Sequence, residues 1–348
     1  MIRGAEGPLA VVGGGTRGLA GRTGAVLETA GLAGVELYEP GALTLVVRAG
    51  TPVAQVEALL AAERQRLAFE VPDFRRLLGR EGVSTIGGVV AANASGPRRV
   101  QAGACRDSVL GVRLVDGTGT VVKNGGRVMK NVTGYDLVKL MAGSRGTLGV
   151  LTEVSLRVQA VPEAEVTLVA ARPLEAGLSA LRVALGSPFD VSGAGYAAGR
   201  AMLRIEGMAG SVGYRAGQLR GRLGGAWDEV TGAESAALWA GLRDVSSLAG
   251  LAGSVWRLVL TPSEAGRVVA ALGGQTLVDW GGGVVWALTE GGQASRVRGL
   301  VAGHGHATLV RPSPGDEASQ TLPTEPAPVA ALTDALRRAF DPRQIFSL

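Results

Sequence analysis

Gly82-Val83-Ser84-Thr85-Ile86-Gly87-Gly88-Val89-Val90-Ala91-Ala92-Asn93-Ala94-Ser95-Gly96 is the stretch from which the rest of the chain can be read. Its paired glycines, Gly87 and Gly88, leave backbone open to close approach, and Ser84, Thr85, Asn93 and Ser95 set short donors and acceptors around them. Hydroxyls and amides buried in such a stretch must find partners, and a sugar, a pyrophosphate or the polar edge of a ring satisfies several at once. A small-residue helix packed tightly on a sheet is the competing reading. Further on comes Met129-Lys130-Asn131-Val132-Thr133-Gly134-Tyr135-Asp136-Leu137. The three lysines of the chain (Lys123, Lys130, Lys139) and its three asparagines (Asn93, Asn124, Asn131) all fall between positions 93 and 139, while basic charge elsewhere is written as Arg. That bias points to side chains kept here for chemistry.

Upstream, Leu9-Ala10-Val11-Val12 reads as a strand running into Gly13-Gly14-Gly15-Thr16-Arg17-Gly18, where successive backbone N–H groups form a phosphate-cradle candidate. Gly13, Gly15 and Gly18 satisfy G-x-G-x-x-G, and Glu36 stands near the place of a ribose-binding acid. A Rossmann helix does not follow, because Gly21, Gly24, Gly31 and Gly34 interrupt it at roughly 1 kcal/mol each. What survives is an anion-binding loop without the helix, or a plain glycine turn.

At 348 residues and 46% hydrophobic, with a mean hydropathy of +0.24, the chain is long and apolar enough for two domains with cores of their own. Cys105 is the single cysteine, which forbids an intrachain disulfide and fits a reducing compartment. With no leader at its start, the chain reads as cytoplasmic. No apolar run approaches the roughly 18 to 20 residues of a membrane span, so attachment to the inner membrane would go through partners. The net charge of +5 is spread over pairs such as Arg75-Arg76, Arg98-Arg99 and Arg337-Arg338, and aromatics are 4%. Neither a basic stripe nor a stacking platform is present, which excludes a nucleic-acid module; an anionic cofactor or acidic partner accounts for the charge.

Leu43 to Ala49 alternates as a strand, and Thr51-Pro52 opens an amphipathic helix through Ala62 with Thr51 as its cap. Asp73 to Gly82 reads as a polar connection, Val109 to Lys123 as a hairpin about Asp116-Gly117, and Val150 to Val158 as a strand. From Glu165 the pattern becomes duplicated strand, helix, strand units. Val166–Ala170, a helix from Leu174 to Leu185, and Ala201–Ile205 form the first; Val255–Leu260, Ser263–Leu272 and Val284–Leu288 form the second. Helices over 212–223 and 233–242, then 294–301 with a strand over 307–310, complete an antiparallel sheet backed by helices. The Pro-rich run 312–328 reads as a linker before a short amphipathic helix over 329–340.

Thr85-Ile86-Gly87-Gly88, Asn93-Ala94-Ser95-Gly96, Lys130-Asn131, Gly134-Tyr135-Asp136-Leu137 and Gly143-Ser144-Arg145-Gly146-Thr147-Leu148-Gly149-Val150 resemble, in order and spacing over 9–160, the FAD-binding domain of the vanillyl-alcohol oxidase (PCMH) type. Within that superfamily, Glu39-Pro40, Leu43 to Gly50, Ala68-Phe69-Glu70, Ser95-Gly96-Pro97-Arg98-Arg99 and the ending Phe340-Asp341-Pro342 are most similar to the FAD-binding E subunits of bacterial glycolate oxidases. The resemblance implies an α+β flavoprotein. A two-subdomain FAD-binding domain would cover 1–160 with the tail 313–348 returning to it, and a smaller ferredoxin-like antiparallel α+β cap would cover 161–312. It implies FAD as cofactor, held at its pyrophosphate by Gly13, Gly14, Gly15, Thr16, Arg17 and Gly18. Pro72, Ser84, Thr85, Gly87, Gly88, Ala91, Asn93 and Ser95 would line the flavin side, and Gly149 and Val150 would meet the adenosine. Relatives carry a helix and strand ahead of the glycine loop, whereas twelve residues precede Gly13 here. The cradle is therefore expected to be incomplete or completed from elsewhere.

The implied activity is oxidation of glycolate, a small 2-hydroxy acid, to glyoxylate, with electrons leaving through flavin towards an iron-sulfur subunit. The implied partners are that subunit and a homologous flavin subunit. The alternative is an assembly subunit, with FAD or with the vacant fold. Relatives that oxidise 2-hydroxy acids carry a histidine-rich motif in the second half, where this chain has His304 and His306. Two histidines fall short of the three or four ligands of a zinc site, which leaves a structural histidine or, for His306, a base beside the flavin. Ser144 lacks the first glycine of a nucleophile elbow. Cys105 reads as packed, and Tyr135 and Asp136 read either as flavin neighbours or as an aromatic anchor beside a solvated carboxylate.

Overall fold

The computed structural model describes residues 1–17, 24–127, 134–316 and 319–347. Two strands near the start, β1 (Leu9–Val12) and β2 (Ala25–Glu28), pair in parallel. An antiparallel six-stranded sheet follows from β3 (Val35–Glu39), β4 (Thr44–Arg48), β5 (Gln65–Leu67), β6 (Val109–Val115), β7 (Val121–Gly125) and β8 (Val150–Ala160). Its order is β3-β4-β8-β6-β7, with β5 on the last residues of β8. Leu45 and Val47 of β4 and Val154, Leu156 and Val158 of β8 are buried, and helices Val53–Ala62, Ile86–Ala91 and Leu137–Met141 lay Val56, Leu60, Val89, Val90 and Met141 against them. Truncating Leu45, Leu60, Met141 or Leu156 to Ala would remove about 2–5 kcal/mol, since close-packed surroundings collapse only partly.

Residues 164–311 build one eight-stranded antiparallel sheet from β9 (Ala164–Ala171), β10 (Val191–Ala197), β11 (Arg200–Gly207), β12 (Asp228–Val230), β13 (Ser254–Leu260), β14 (Thr276–Asp279), β15 (Val284–Thr289) and β16 (Gly305–Arg311). The spatial order β12-β9-β11-β10-β14-β15-β13-β16 is a palindrome. Each half is a β-α-β-β-α-β unit of ferredoxin-like order, and the two meet where β10 pairs with β14. Helices Leu174–Leu185, Ala209–Leu223, Ala265–Leu272 and Ala294–Val301 cover one face through Leu178, Leu181, Leu219, Val268 and Val297. Trp239 and Leu242, from helix Gly232–Arg243, and Leu77 from the first half pack on the other face.

The architecture is α+β, and the duplication read from the sequence is present with three strands added, β10, β12 and β14. β10, Val-Ser-Gly-Ala-Gly-Tyr-Ala, lacks strand composition because its glycines lie under large neighbours. A Cβ on Gly193 would sit 2.8 Å from Trp239, and one on Gly195 would sit 2.5 Å from Leu242. The others, β12 and β14, are three and four residues long. The connection 73–82 contains a helical turn, Arg75–Leu78, that exists to bury Leu77. Helix Val53–Ala62 begins one residue later than expected, with Pro52 at the cap position. The Thr51 hydroxyl does not cap it; that group donates to the Gly34 and Arg48 carbonyls and accepts from the Gly34 N–H. The Pro-rich connection is strapped down rather than free: buried Asp316 accepts from Ser254, and the Leu309 N–H donates to the Thr321 carbonyl. After helix Ala327–Phe340 the chain comes back to β1, where Leu9 donates to the Ile345 carbonyl at 2.6 Å and packs with Ile345, Phe346 and Val150.

Candidate functional site

Three segments meet at the end of β1. The glycine loop leaves β1 and packs so closely on Gly82–Ser84 that a Cβ on Gly14 would lie 1.5 Å from the Val83 carbonyl oxygen. Helix Ile86–Ala91 is pinned at its start by Ile86 N–H to the Thr51 carbonyl (3.0 Å) and Gly87 N–H to the Ala49 carbonyl (2.7 Å), while Thr85 caps it by accepting from Gly88 N–H. At its far end, Gly143 and Arg145 donate to the Val90 and Ala91 carbonyls, which brings in the 143–149 loop.

Between these segments is a cavity of about 430 Å³, lined by Gly13, Gly14, Gly15, Thr16, Arg17, Thr85, Gly87, Gly88, Ala91 and Gly149. Val11, Val12, Val26, Thr29, Arg80, Ala92, Arg145 and Gly146, none of them assigned to the cofactor from the sequence, also line it. A second cavity of about 220 Å³ shares Arg17, Ala92 and Arg145 with the first and opens between that cradle and the eight-stranded sheet. Pro72, Asn93 and Ser95 line this one. Ser84 lines neither cavity; its hydroxyl accepts from Arg17 at 2.5 Å. Val150 is buried with Leu9 and Phe346, away from both, and Gly18, Lys130 and Asn131 lie outside the described residues.

The short polar side chains of the central stretch are not waiting for a ligand. Asn93 Oδ1 accepts from the Arg106 N–H, and Ser95 Oγ donates to the Asn93 carbonyl while accepting from the Cys105 N–H. Asn124 likewise holds Tyr135 O and Leu137 N–H, and Lys139 holds the Arg106 carbonyl and Asp107. Asn93, Asn124 and Lys139 therefore fix loops, a need that irregular backbone creates. Tyr135 is exposed and Asp136 caps helix Leu137–Met141; neither lines a cavity.

The ligand-facing chemistry comes instead from backbone and arginine. Gly15 has open space where a side chain would project, and a Cβ on Gly88 would meet only Thr85 Oγ1, at 3.2 Å. Arg17 donates to the Pro72 carbonyl and to Ser84, yet its Nε is buried without a partner, and burial draws its guanidinium down to about 10. A glycine wall beside a buried arginine whose Nε has no hydrogen-bond partner among the described residues fits an elongated ligand carrying phosphate. Cys105 is fully buried and burial pushes its thiol up, so the folded protein should not react with a thiol reagent at neutral pH; labelling before and after unfolding checks this.

In the second cavity, Arg99, Arg243 and Arg257 join Arg17 and Arg145, and Phe74, Trp280 and Trp286 line it with them. Arg257 was legible in principle: it is a lone charge in the apolar strand Ser-Val-Trp-Arg-Leu-Val-Leu. His304 and His306 are both exposed, His306 on β16. Among the described residues no group of three or more His, Cys, Asp or Glu could hold a metal, and no helix is long and apolar enough to cross a membrane.

Comparison with known proteins bears on the cradle and on the whole chain. Residues 1–125 match the model of the family described as FAD binding domain. Glycolate oxidase subunit GlcE of Escherichia coli (strain K12) is 36% identical over 345 residues, covering 98% of this chain and 91% of that protein. Glycolate oxidase subunit GlcD of Bacillus subtilis (strain 168) is 38% identical over 128 residues, 37% of this chain and 26% of that one. Among solved structures, alkyldihydroxyacetonephosphate synthase matches with a TM-score of 0.68 over 97% of this chain and 72% of its own, at 15% identity, a likeness of fold.

Proposed function

This chain belongs to the family of glycolate oxidase subunit GlcE, and from that membership we propose that it is the FAD-carrying subunit of a complex that oxidises glycolate to glyoxylate. FAD is its cofactor and its class is that of the FAD-linked oxidoreductases. The observation that carries the finer reading is continuity: a backbone-walled cradle runs into an arginine-lined second cavity through the shared Arg17, Ala92 and Arg145. A flavin accepts a hydride; the protein binds, orients and excludes water.

In this reading the chain divides into a FAD-binding part over 1–160 with the tail and a cap over 161–312. Gly13 to Thr16 present backbone N–H groups to the pyrophosphate, and the buried Arg17 adds charge where the cradle meets the second cavity. The wall from Thr85 to Ala91 sets the ring plane, and Gly149 faces the adenosine. Partners are a homologous flavin subunit and an iron-sulfur subunit in the cytoplasm, with the inner membrane reached only through them. A second reading, an assembly subunit that holds FAD for a catalytic homologue, is favoured by the second cavity's lining, where, among the described residues, Asp279 is the single acid and no histidine stands.

The isolated chain is expected to be yellow, and glycolate added without air should bleach its flavin band. A flavin that stays oxidised until the partner subunit is added would support the assembly reading. A chain without flavin would overturn both and leave an assembly subunit with the vacant fold.

A further inference from the structure

Three features of the second cavity stand unexplained by cofactor binding. The first is Arg257. Its guanidinium lies against two indoles, 5.2 Å from the Trp280 ring centre and 6.0 Å from that of Trp286, and it makes no hydrogen bond or ion pair with any described residue. Arg99 stacks on the same Trp280 at 4.6 Å. Stacking on an indole face satisfies part of a guanidinium and leaves its N–H fork free to hold a carboxylate in two places.

The second is backbone strain. Asn93 (φ 46°), Arg145 (φ 57°) and Trp280 (φ 54°) are left-handed without being glycine, and all three line this one cavity. Such residues persist only where the surroundings over-determine them, and they gather at ligand sites. Trp280 is fixed further by its indole N–H, which donates 3.1 Å to the Gly96 carbonyl across the gap between the two halves.

The third is Asp279, which precedes Trp280 in the chain, is 5% exposed and lines the cavity. Charge around it is lopsided: Arg243 is neutralised by Asp244 at 2.8 Å, but Arg99 and Arg257 have no acid bonded to them. Burial first, then Glu70, raises the Asp279 carboxyl to about 7, against the lowering pull of the Trp280 N–H, Arg204 and Arg257.

We propose that the second cavity is a chamber for a small carboxylate, gripped by Arg257 from between Trp280 and Trp286, with Asp279 as the group that takes the ligand's hydroxyl proton. This rests on the oxidation of a 2-hydroxy acid proposed above. In that reaction the hydroxyl O–H bond breaks and its proton passes to the Asp279 carboxylate. The Cα–H bond breaks and its electron pair leaves as hydride to the oxidised flavin, while the C–O bond becomes C=O. Asp279 and Arg257 are thereby the catalytic acid-base group and the anchor, supplied by the end of β14 and by β13 of the eight-stranded sheet. At 220 Å³ the chamber is below the roughly 300 Å³ of common small-molecule pockets, which limits it to acids of a few carbons.

Oxalate is not oxidised by this route, so its binding to the full FAD-loaded chain, followed by calorimetry and by tryptophan fluorescence, tests the chamber without turnover. Arg257→Gln should weaken oxalate at least ten-fold with flavin content unchanged, and Arg257→Lys should restore part of it. For the wild type, affinity should fall as pH rises through about 7, because ionised Asp279 faces the ligand. Asp279→Asn should flatten that fall. The other charged groups facing Asp279 are Glu70, Arg204, Arg257, Arg99, Arg145, Arg17 and Arg243, with His306 on the same face of the sheet as Thr308. His306→Gln should leave the profile in place. Equal oxalate affinity in wild type and Arg257→Gln would overturn the anchor, and an unchanged pH profile in Asp279→Asn would overturn the proton acceptor. Neither result depends on whether glycolate bleaches the flavin, so failure of the redox reading stays separable.

Discussion

Gly88→Val should purify as a folded, colourless protein. A Cβ at Gly88 meets nothing nearer than Thr85 Oγ1 at 3.2 Å, so the branched methyl groups have only the cradle to occupy. Valine costs well under about 1 kcal/mol in a helix, too little to unfold a chain of this size. The methyls fill space that the cofactor needs, and an over-packed close contact costs about 1–3 kcal/mol or more. Bound flavin should fall at least ten-fold, read from the visible band against protein absorbance, while the melting temperature of the flavin-free forms stays within a few degrees. Gly88→Ala, whose neighbour must give by a few tenths of an ångström, should fall between. Normal flavin content in the valine variant would remove Gly88 from the site.

The second large effect lies where the two halves of the molecule meet. Glu206 of β11 lies 2.6 Å from Arg66 and 3.0 Å from Arg98, and beside it Arg204 bonds Glu70 at 2.8 Å. Arg98 Nε points off the Glu206 oxygen, so that contact is an ion pair rather than a directed hydrogen bond. The Arg98 backbone N–H donates to Glu70, and its side chain donates to Gln159 of β8. Glu206→Gln would leave buried arginines short of counter-charge, a loss of about 3–5 kcal/mol measured by denaturant unfolding at pH 7. Burial alone would raise the Glu206 carboxyl, but Arg204, Arg98 and Arg66 overcome it and hold the group at about 2, against 4.5 as its ordinary value. Because the folded value is the lower one, this stabilisation, about 3 kcal/mol, is fully present above pH 4.5 and fades as pH falls towards 2. The gap between wild type and Glu206→Gln should therefore narrow in acid. A constant gap from pH 7 to pH 3 would count against the ion cluster.

What the sequence made legible was mostly what rests on backbone. Gly13 to Gly15 and Gly87 to Gly88 could be placed around one ligand because the absence of a side chain is itself visible in a sequence. Burial of Leu45, Val47 and Leu156 follows from alternation, and helix Leu174–Leu185 from its 3.6-residue period. Polar side chains were read less well. Asn93 and Ser95 are the residues one would choose to touch a sugar, yet they hold the Arg106 and Cys105 N–H groups and, through Ser95, the Asn93 carbonyl, since a left-handed bend at position 93 creates local groups that need partners. The arginine chamber was hidden for a different reason: Arg17, Arg99, Arg145 and Arg257 come from four distant segments, and only strand pairing across β13–β15 and the 143–149 loop brings them together. Strand β10 was hidden because Trp239 and Leu242 demand glycine beneath them, which erases the composition by which strands are found.

The palindrome of the eight-stranded sheet has a consequence for how its repeats can exist. Severed from each other, either would offer a raw margin of unsatisfied amides and carbonyls along β10 or β14, a ready template for aggregation. Joined, they mask one another, and the outer margins shrink to three-residue β12 on one flank and to β16, fastened by Thr321, on the other. The pair is thus a single inseparable plate, and mutual shielding is what makes the tandem arrangement tolerable in solution.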